Sequence, residues 1–237
     1  MTSGVNGSGM SAEPGAALLE LVAIMDRLRT ECPWDARQTH ESLAPYLVEE
    51  TYEALEALEA RDYEALRGEL GDVLLQVLFH AAVAAERTDG TGFTIDDVAE
   101  GIAAKLVRRH PHVFSDVVVS GADEVKQNWD TIKAAERAEA GDGPASALAG
   151  VPVGQPALSL VGQLLGRAAA AGVPDDLADL PSTEDHGTPD AVSATGAELF
   201  ALASRARMAG LDPELELRSA ARVYRDRVRD WEQRARG

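Results

Sequence analysis

Residues 68–80 of the chain read GELGDVLLQVLFH, and this stretch decides the fold. At about 100° of rotation per residue, its polar side chains share one stripe of a helix: Glu69, Asp72, Gln76 and His80. The other positions are leucine, valine, phenylalanine and glycine. A helix that is apolar nearly all round belongs in a protein core. The stretch therefore predicts a core α-helix with two carboxylates close to, or inside, that core.

A second pair of acids precedes this stretch. Glu50 and Glu53 are three residues apart on a helix predicted over residues 42–61, so they share a flank of it. Two neighbouring antiparallel helices would bring all four carboxylates together. Like charges in nonpolar surroundings repel strongly unless cations neutralise them. Oxygen ligands with few sulfur or imidazole groups favour Mg²⁺ or Mn²⁺ over Zn²⁺.

Acid-rich helix faces often have no function beyond contact with solvent. This region also holds further acidic residues: Glu49, Glu56, Glu59 and Glu64. For Glu49 and Glu56, opposite the apolar stripe of their helix, solvated surface is the favoured interpretation. For Glu69 and Asp72 the apolar neighbours favour a site. Helical periodicity alone leaves both interpretations open.

The rest of the chain predicts an all-α fold, because no strand pattern appears. A first helix is expected over residues 16–29. Thr94 with Asp97 resembles a capping box at the start of a later helix, which ends near His110 because Pro111 cannot continue it. The other predicted helices cover residues 63–87, 120–139, 157–171, 193–209 and 213–234. We expect a disordered lead-in over 1–15, a helical domain over 16–140, a Gly- and Pro-rich linker over 141–156 and a second helical part over 157–237.

Charge and cysteine content exclude several classes of protein. The 237 residues carry 22 basic and 40 acidic side chains, a formal net charge of -18. Such a chain repels phosphate backbones, so no nucleic-acid partner is expected. Cys32 is the single cysteine, which fits a reducing cytoplasm. No secretion signal is expected at the N-terminus, and no apolar run reaches the roughly 18 residues that span a membrane.

Several motifs together resemble one known family. Residues 49–53 (EETYE) and 69–72 (ELGD) are similar to the EExxE and ExxD signature of MazG-type all-α nucleoside triphosphate (NTP) pyrophosphohydrolases. CPWD at 32–35, QTH at 38–40, APY at 44–46 and RRHPHVF at 108–114 also resemble the first MazG repeat. The similarity runs from about Leu18 to Arg137. EExxE alone is weak in a Glu-rich helix, whereas the combined order and spacing are highly specific.

The resemblance implies a four-helix-bundle-type fold that forms a homodimer, with sites near the subunit interface. It implies hydrolysis of an NTP to the monophosphate and pyrophosphate, of the house-cleaning kind. Mg²⁺, with Mn²⁺ as a substitute, would be held by Glu50, Glu53, Glu69 and Asp72. Glu49 or Glu53 would orient or deprotonate the attacking water, and the sequence does not choose between them.

Basic and aromatic residues supply candidate substrate contacts for such an enzyme. Those near the end of the fourth helix are plausible triphosphate clamps, although a helix C-terminus also favours cations at about 0.3–1 kcal/mol each. The candidates are Lys105, Arg108, Arg109, His112, Lys126, Asn128, Trp129 and Lys133. Trp34 is a candidate for base stacking, but a Pro-Trp pair is as often a packing anchor. His80 is interpreted as a hydrogen-bonded core histidine rather than a metal ligand.

The second half of the chain resembles a degenerate repeat of the first half. Residues 196–200 (GAELF) align with residues 71–75 (GDVLL), which places Ala197 opposite Asp72 and Ala194 opposite Glu69. A methyl group cannot ligate a metal ion. We therefore expect a degenerate second repeat that is catalytically silent and serves dimerisation or structural support.

Two other functions are alternatives to a broad-range enzyme. The first is a non-catalytic helical module that binds nucleotides or a partner helix. The intact acid set argues against it, because a pure scaffold has no reason to concentrate like charge. The second is a narrower relative acting on dCTP, dUTP or phosphoribosyl-ATP. The RRHPHVF stretch favours MazG proper.

Overall fold

The computed structural model describes residues 14–139, 146–180 and 192–236, and every regular element in these ranges is helical. The all-α prediction is confirmed. The helices are α1 (Ala16–Glu31), α2 (His40–Ala60), α3 (Tyr63–Ala85), α4 (Ile95–Arg109), α5 (Pro111–Phe114), α6 (Ala122–Glu139), α7 (Ala157–Ala170), α8 (Ala194–Met208) and α9 (Pro213–Arg236). Most of the predicted lead-in, residues 141–145 of the predicted linker and residues 181–191 of the second part lie outside the described residues.

Local side-chain chemistry sets the bounds of the central helices. α2 begins two residues earlier than predicted, because the Thr39 side chain accepts from the backbone N–H of Ser42 while the Ser42 hydroxyl accepts from the N–H of Thr39. Arg61 ends α2 in a left-handed conformation with φ 56°. Asp62 then caps α3 by accepting from the N–H of Ala65 at 3.0 Å. This two-residue connection folds α2 and α3 into a helical hairpin.

The core of the first part of the chain lies between α1, α2 and α3. Met25, Leu43, Leu78 and Phe79 form a buried cluster in which each side chain is at most 4% exposed. By length and composition α3 would suffice to cross a membrane, yet it packs against α2 and α1 and carries a polar stripe. α3 is therefore a core helix, as its apolar faces predict.

A buried arginine ties α1 to the segment before α2. Arg29 donates to the backbone carbonyls of Asp35 and Gln38 and forms a two-point ion pair with Glu86, just after α3. Residues 35–37 form a short 3₁₀ helix that the sequence did not predict. The Arg29 side chain is only 7% exposed. Its contacts hold together α1, the segment before α2 and the residue that follows α3.

α4 begins as predicted but packs little. The N–H and hydroxyl of Thr94 both donate to the Asp97 carboxylate, and the N–H of Asp97 donates to the Thr94 hydroxyl, which confirms the capping box. Ile95 packs against the core cluster. The apolar side chains that follow on this helix are exposed: Val98, Ile102, Leu106 and Val107. After α4, Pro111 starts the unpredicted one-turn helix α5, because proline suits a first helical position.

The chain divides into two compact units, Met1–Arg108 and Arg109–Gly237. In the second unit α7 packs against α8 and α9, and α8 packs against α9. Gly162 of α7 is buried beside Pro213 at the start of α9. The division falls earlier in the chain than the boundaries expected at residues 140 and 156, and those domain bounds stay a prediction.

Candidate metal centre

Three carboxylates converge on the hairpin of α2 and α3. Glu50 lies on α2, while Glu69 and Asp72 lie one turn apart on α3, and one carboxylate oxygen from each is within 4.8 Å of the others. The two-residue connection between the helices sets this arrangement, because it brings the second half of α2 alongside the first half of α3. Carboxylate oxygens at this spacing match the donor set of a hard divalent cation.

Glu53 joins the cluster through Glu69, with which it shares a side-chain hydrogen bond. Loss of hydration raises the pKa of Glu69 above its ordinary value. The neighbouring charges of Glu53 and Asp72, and the hydrogen bond itself, raise that pKa further. The like charges of these neighbouring carboxylates make their proximity unfavourable without a cation.

Glu50 is perturbed in the same direction. Loss of hydration raises its pKa most, and the charges of Asp72, Glu53, Glu49 and Glu69 follow in that order. Among the described residues, no lysine or arginine shifts the pKa of Glu50 or Glu69. The residues present thus fit a divalent cation, which would supply the positive charge that this cluster lacks.

The cluster is less buried than the sequence predicted. Glu50 and Glu69 are half-buried, and Glu49, Glu53 and Asp72 are exposed. The reason is that the first turns of α3 extend beyond the core: Leu70, between the two acids, is itself 54% exposed. Repulsion in partly hydrated surroundings, rather than full burial, is what a bound cation would relieve. The exposed side of the cluster is open to solvent.

Beyond Asp72, the polar stripe of α3 continues into a more buried part of the helix. Its side chains there are an amide, Gln76, and an imidazole, His80. Gln76 is 5% exposed, and its Oε1 has no hydrogen-bond partner among the described residues. His80 stacks on His40, with 2.8 Å between their Nδ1 atoms, and its buried Nε2 finds no partner in the described part of the chain. Desolvation, and then the charge of His40, lower the pKa of His80. His80 is half-buried and hydrogen-bonded through one ring nitrogen only, so the interpretation as a fully hydrogen-bonded core histidine holds only in part.

Trp34 lies in an aromatic cluster. Its ring meets Tyr46 and Phe79 edge-on, with ring centroids 6.3 and 6.4 Å apart respectively. The indole is nevertheless 48% exposed. Trp34 therefore packs as an anchor on one side and keeps a solvent-facing side that a planar base could contact.

In the second unit, basic side chains gather around Trp129. The Arg109 guanidinium lies 5.4 Å and the Lys133 ammonium 4.9 Å from the centre of its ring. Arg109 also forms an ion pair with Glu136 at 2.6 Å. The buried Trp129 Nε1 and His112 Nδ1 have no hydrogen-bond partner among the residues described. Both atoms are therefore buried polar groups whose hydrogen bonds are unsatisfied among the described residues.

The other predicted substrate contacts are distributed along the helices. Lys105 and Arg108 lie on α4, where Lys105 is exposed; Lys126 is exposed and Asn128 half-buried on α6.

Ala194 and Ala197 occupy the first turn of α8. Across residues 14–139, 146–180 and 192–236, the carboxylates of Glu50, Glu69 and Asp72 form the only group of three potential ligands. The sequence did not indicate His40 as the partner of His80, because no local spacing links residues 40 apart.

The fold and site together define an all-α protein with a candidate divalent-metal centre on a helical hairpin. A family model described as the MazG nucleotide pyrophosphohydrolase domain matches residues 38–114. The chain is 38% identical over 235 residues to "Nucleoside triphosphate pyrophosphohydrolase/pyrophosphatase MazG" of Thermotoga maritima, covering 93% of this chain and 88% of that protein. The chain belongs to the MazG family of nucleoside triphosphate pyrophosphohydrolases.

Two further relatives have similar coverage of this chain. "Uncharacterized 26.1 kDa protein in blaB 3'region" of Streptomyces cacaoi is 49% identical over 91% of this chain and 83% of its own length. "Nucleoside triphosphate pyrophosphohydrolase" of Mycolicibacterium smegmatis is 41% identical over 93% of this chain, which spans 60% of that protein. The family suggested by the sequence motifs is confirmed.

Proposed function

We propose that the protein hydrolyses nucleoside triphosphates to the monophosphate and pyrophosphate, with Mg²⁺ held by Glu50, Glu53, Glu69 and Asp72 and Mn²⁺ as a substitute. The observation that carries this proposal is the convergence of three carboxylates within 4.8 Å on adjacent helices. Their proximity, with raised pKa values for Glu50 and Glu69, is unfavourable without a cation. The family supplies the reaction class.

The side chains divide into ligands and a base. Mg²⁺, when bound, would supply positive charge that offsets the negative charge developing during hydrolysis. Glu50, Glu69 and Asp72 would hold that ion, and Glu53, which lies outside this group of three but beside Glu69, would be the fourth oxygen donor. Glu49 or Glu53 accepts a proton from the water that attacks, while the bond between the α- and β-phosphates breaks. Glu49 lies one residue from Glu50 and is exposed, so water reaches it.

Substrate contacts are proposed at the basic and aromatic side chains predicted from the sequence. Lys105, Arg108, Arg109, His112, Lys126 and Lys133 offer cations or donors for the triphosphate, and Asn128 and the Trp129 indole offer further donors. Trp34 offers its exposed side to the base. In a chain with net charge -18, such local cations are needed to draw in an anionic substrate.

The biological setting follows from the same family. We propose a cytoplasmic homodimer that removes noncanonical or surplus triphosphates and that uses neither nucleic acid nor a membrane. The exposed apolar residues of α4, among them Ile102 and Leu106, suit burial in a subunit interface. The second half is proposed to be a silent repeat, because Ala194 and Ala197 offer no ligand atoms.

Two other functions remain as alternatives. One is a helical module that binds nucleotides or a partner helix without turnover. The other is a relative restricted to dCTP, dUTP or phosphoribosyl-ATP. The concentration of carboxylates on α2 and α3 favours turnover, since a binding scaffold gains nothing from their repulsion.

Product analysis tests the proposal. The protein is incubated with each common ribo- and deoxyribonucleoside triphosphate, and separately with dITP and phosphoribosyl-ATP, with Mg²⁺ or with EDTA. Pyrophosphate and monophosphate should appear only with Mg²⁺. Orthophosphate and diphosphate, or turnover that persists in EDTA, would contradict the assigned reaction. Absence of turnover on every substrate would support the binding module, and activity on one substrate alone would support the narrow relative.

A further inference from the structure

Two histidines join the first turn of α2 to the second half of α3. His40, the first residue of α2, and His80 of α3 have 2.8 Å between their Nδ1 atoms, and their ring planes differ by only 5°. A nitrogen–nitrogen contact this short is a hydrogen bond. Such a bond needs one donor and one acceptor, so only one of the two Nδ1 atoms carries a hydrogen. We call these two residues the histidine pair.

The surroundings of His80 indicate which ring donates. The buried Nε2 of His80 and the buried Oε1 of Gln76 both lack a hydrogen-bond partner among the described residues, and they belong to side chains one turn apart on α3. An amide oxygen only accepts, so a hydrogen on Nε2 makes the two atoms complementary, whereas a lone pair there would place two acceptors side by side. This favours the form of His80 with its hydrogen on Nε2, whose Nδ1 then accepts from the Nδ1–H of His40.

Burial opposes a positive charge on His80. Loss of hydration, and after it the charge of His40, lower the pKa of His80 below its ordinary value of 6.5. No carboxylate in the described part of the chain shifts this pKa. A second proton on the histidine pair would therefore place two positive rings in contact, one of them without a counter-charge.

Neighbouring elements bring several charged groups to this end of the hairpin: Arg29 of α1, Asp35 and Arg37 of the 3₁₀ helix, Glu41 of α2, and Glu86 and Arg87 after α3. Glu86 forms an ion pair with Arg29. Glu41 is exposed, and hydrogen bonds from its own backbone and from the side chain of Thr39 lower its pKa more than the charge of His40 does. These two glutamates are thus bound mainly to partners other than the imidazoles.

We propose that the histidine pair is a pH-sensitive contact: with one shared proton it holds the first turn of α2 against α3, and uptake of a second proton separates the two helices there. Histidine is the side chain whose charge ordinarily changes between about pH 5 and pH 8. His40 is the ring that moves away, because it stands at the end of its helix. His80 is fixed between Phe79 and Ala81, which are 3% and 2% exposed.

The direction of the pH dependence follows from the pKa of His80. Because this pKa is lower in the folded protein than the ordinary 6.5, the unfolded chain binds more protons between the two values. The stability that the histidine pair contributes is therefore fully present above 6.5 and is lost as pH falls through the folded pKa. The pair joins the same two helices that carry the carboxylate cluster, near the opposite end of the hairpin.

Amide hydrogen exchange on the full chain measures the opening locally. In wild type, the protection factors of residues 42–44 should fall at least tenfold between about pH 7.5 and about pH 5. His40→Gln keeps an amide that can donate or accept toward His80 but cannot become charged. Its protection should therefore persist in acid, with circular dichroism as the check of folding. Unchanged protection in wild type, or an equal fall in His40→Gln, would overturn the proposal.

Glu41→Gln is the matched control, because Glu41 titrates on the same turn. Hydrogen bonds hold the pKa of Glu41 below 4.5, so this carboxylate stays charged over most of the measured range. The loss of protection in acid should therefore be the same in Glu41→Gln as in wild type. A Glu41→Gln protein that stays protected in acid would assign the opening to Glu41 and refute the role of the histidine pair.

Nitrogen-15 NMR of the imidazoles shows where the hydrogens lie in folded wild type. At about pH 8, His80 should carry its hydrogen on Nε2 and His40 on Nδ1, with resonances assigned from His40→Gln and His80→Gln. An Nδ1–H form of His80, or titration of His80 at its ordinary pKa, would contradict the shared proton. These measurements use neither substrate nor metal, so their outcome is independent of the proposed hydrolysis.

Discussion

At the scale of single residues, Glu50 and Glu69 link the fold to the proposed metal. Both pKa values are raised from 4.5, first by lost hydration and then by neighbouring carboxylates. An acid whose folded pKa is raised holds more protons in the folded state than in the unfolded state. Between the two pKa values, the free energy of unfolding therefore falls as pH rises. Above the pKa of the folded state, both carboxylates are charged and lower the free energy of unfolding by their full amount.

The direction of this pH dependence predicts how the stabilisation of the protein by Mg²⁺ changes with pH. Because the ion competes with protons for the same oxygens, its stabilising effect should be small near pH 4.5, the ordinary pKa of these glutamates, and grow as pH rises above it. Thermal unfolding with and without Mg²⁺ at a series of pH values measures the effect. Glu50→Gln and Glu69→Gln should each flatten the pH dependence of the metal-free protein. A stabilisation by Mg²⁺ that is largest in acid would contradict the assignment.

At the scale of helices, Arg29 shows how one side chain fixes the position of several elements. It binds two backbone carbonyls after α1 and the carboxylate of Glu86, whose pKa it lowers mainly through the hydrogen bond. Lysine cannot replace this planar set of donors. We expect Arg29→Lys to lower the free energy of unfolding by about 1–3 kcal/mol.

Arg27→Lys is the matched control for that change. Arg27 lies on the same helix and pairs with Glu31, but both side chains are largely exposed. Its replacement should change stability by no more than about 0.5 kcal/mol. Denaturant unfolding monitored by circular dichroism compares the two variants. An equal decrease in the free energy of unfolding for both variants would mean that Arg29 does not hold these segments together.

Local sequence signals predicted most helices, and the failures have physical reasons. The capping box of Thr94 and Asp97 joins residues three apart, so the sequence alone predicted it. α5 and the 3₁₀ helix at Asp35–Arg37 are too short for a periodic pattern to develop. The exposure of Asp72 depends on where the core ends along α3, which is a property of packing and not of local spacing.

At the scale of the whole molecule, the chain distributes its features between two units. The first holds the carboxylate cluster, for which the sequence predicted the convergence of Glu50, Glu69 and Asp72 but overestimated the burial. The second has the basic cluster around Trp129, and the apolar side chains of Leu217, Tyr224 and Trp231 on α9 are exposed. The stacking of His40 on His80 and the solvent-facing side of α9 come from tertiary packing, so only the structure reveals them.

The proposed function requires that the carboxylates of α2 and α3 hold a divalent ion without which hydrolysis does not proceed. Titration with Mn²⁺, followed by electron paramagnetic resonance, tests this requirement most directly when wild type is compared with Asp72→Asn and with the control Glu56→Gln on the exposed side of α2. We predict at least tenfold weaker Mn²⁺ binding and no detectable turnover for Asp72→Asn, with Glu56→Gln close to wild type. Unchanged Mn²⁺ affinity and full turnover in Asp72→Asn would contradict the proposed metal centre.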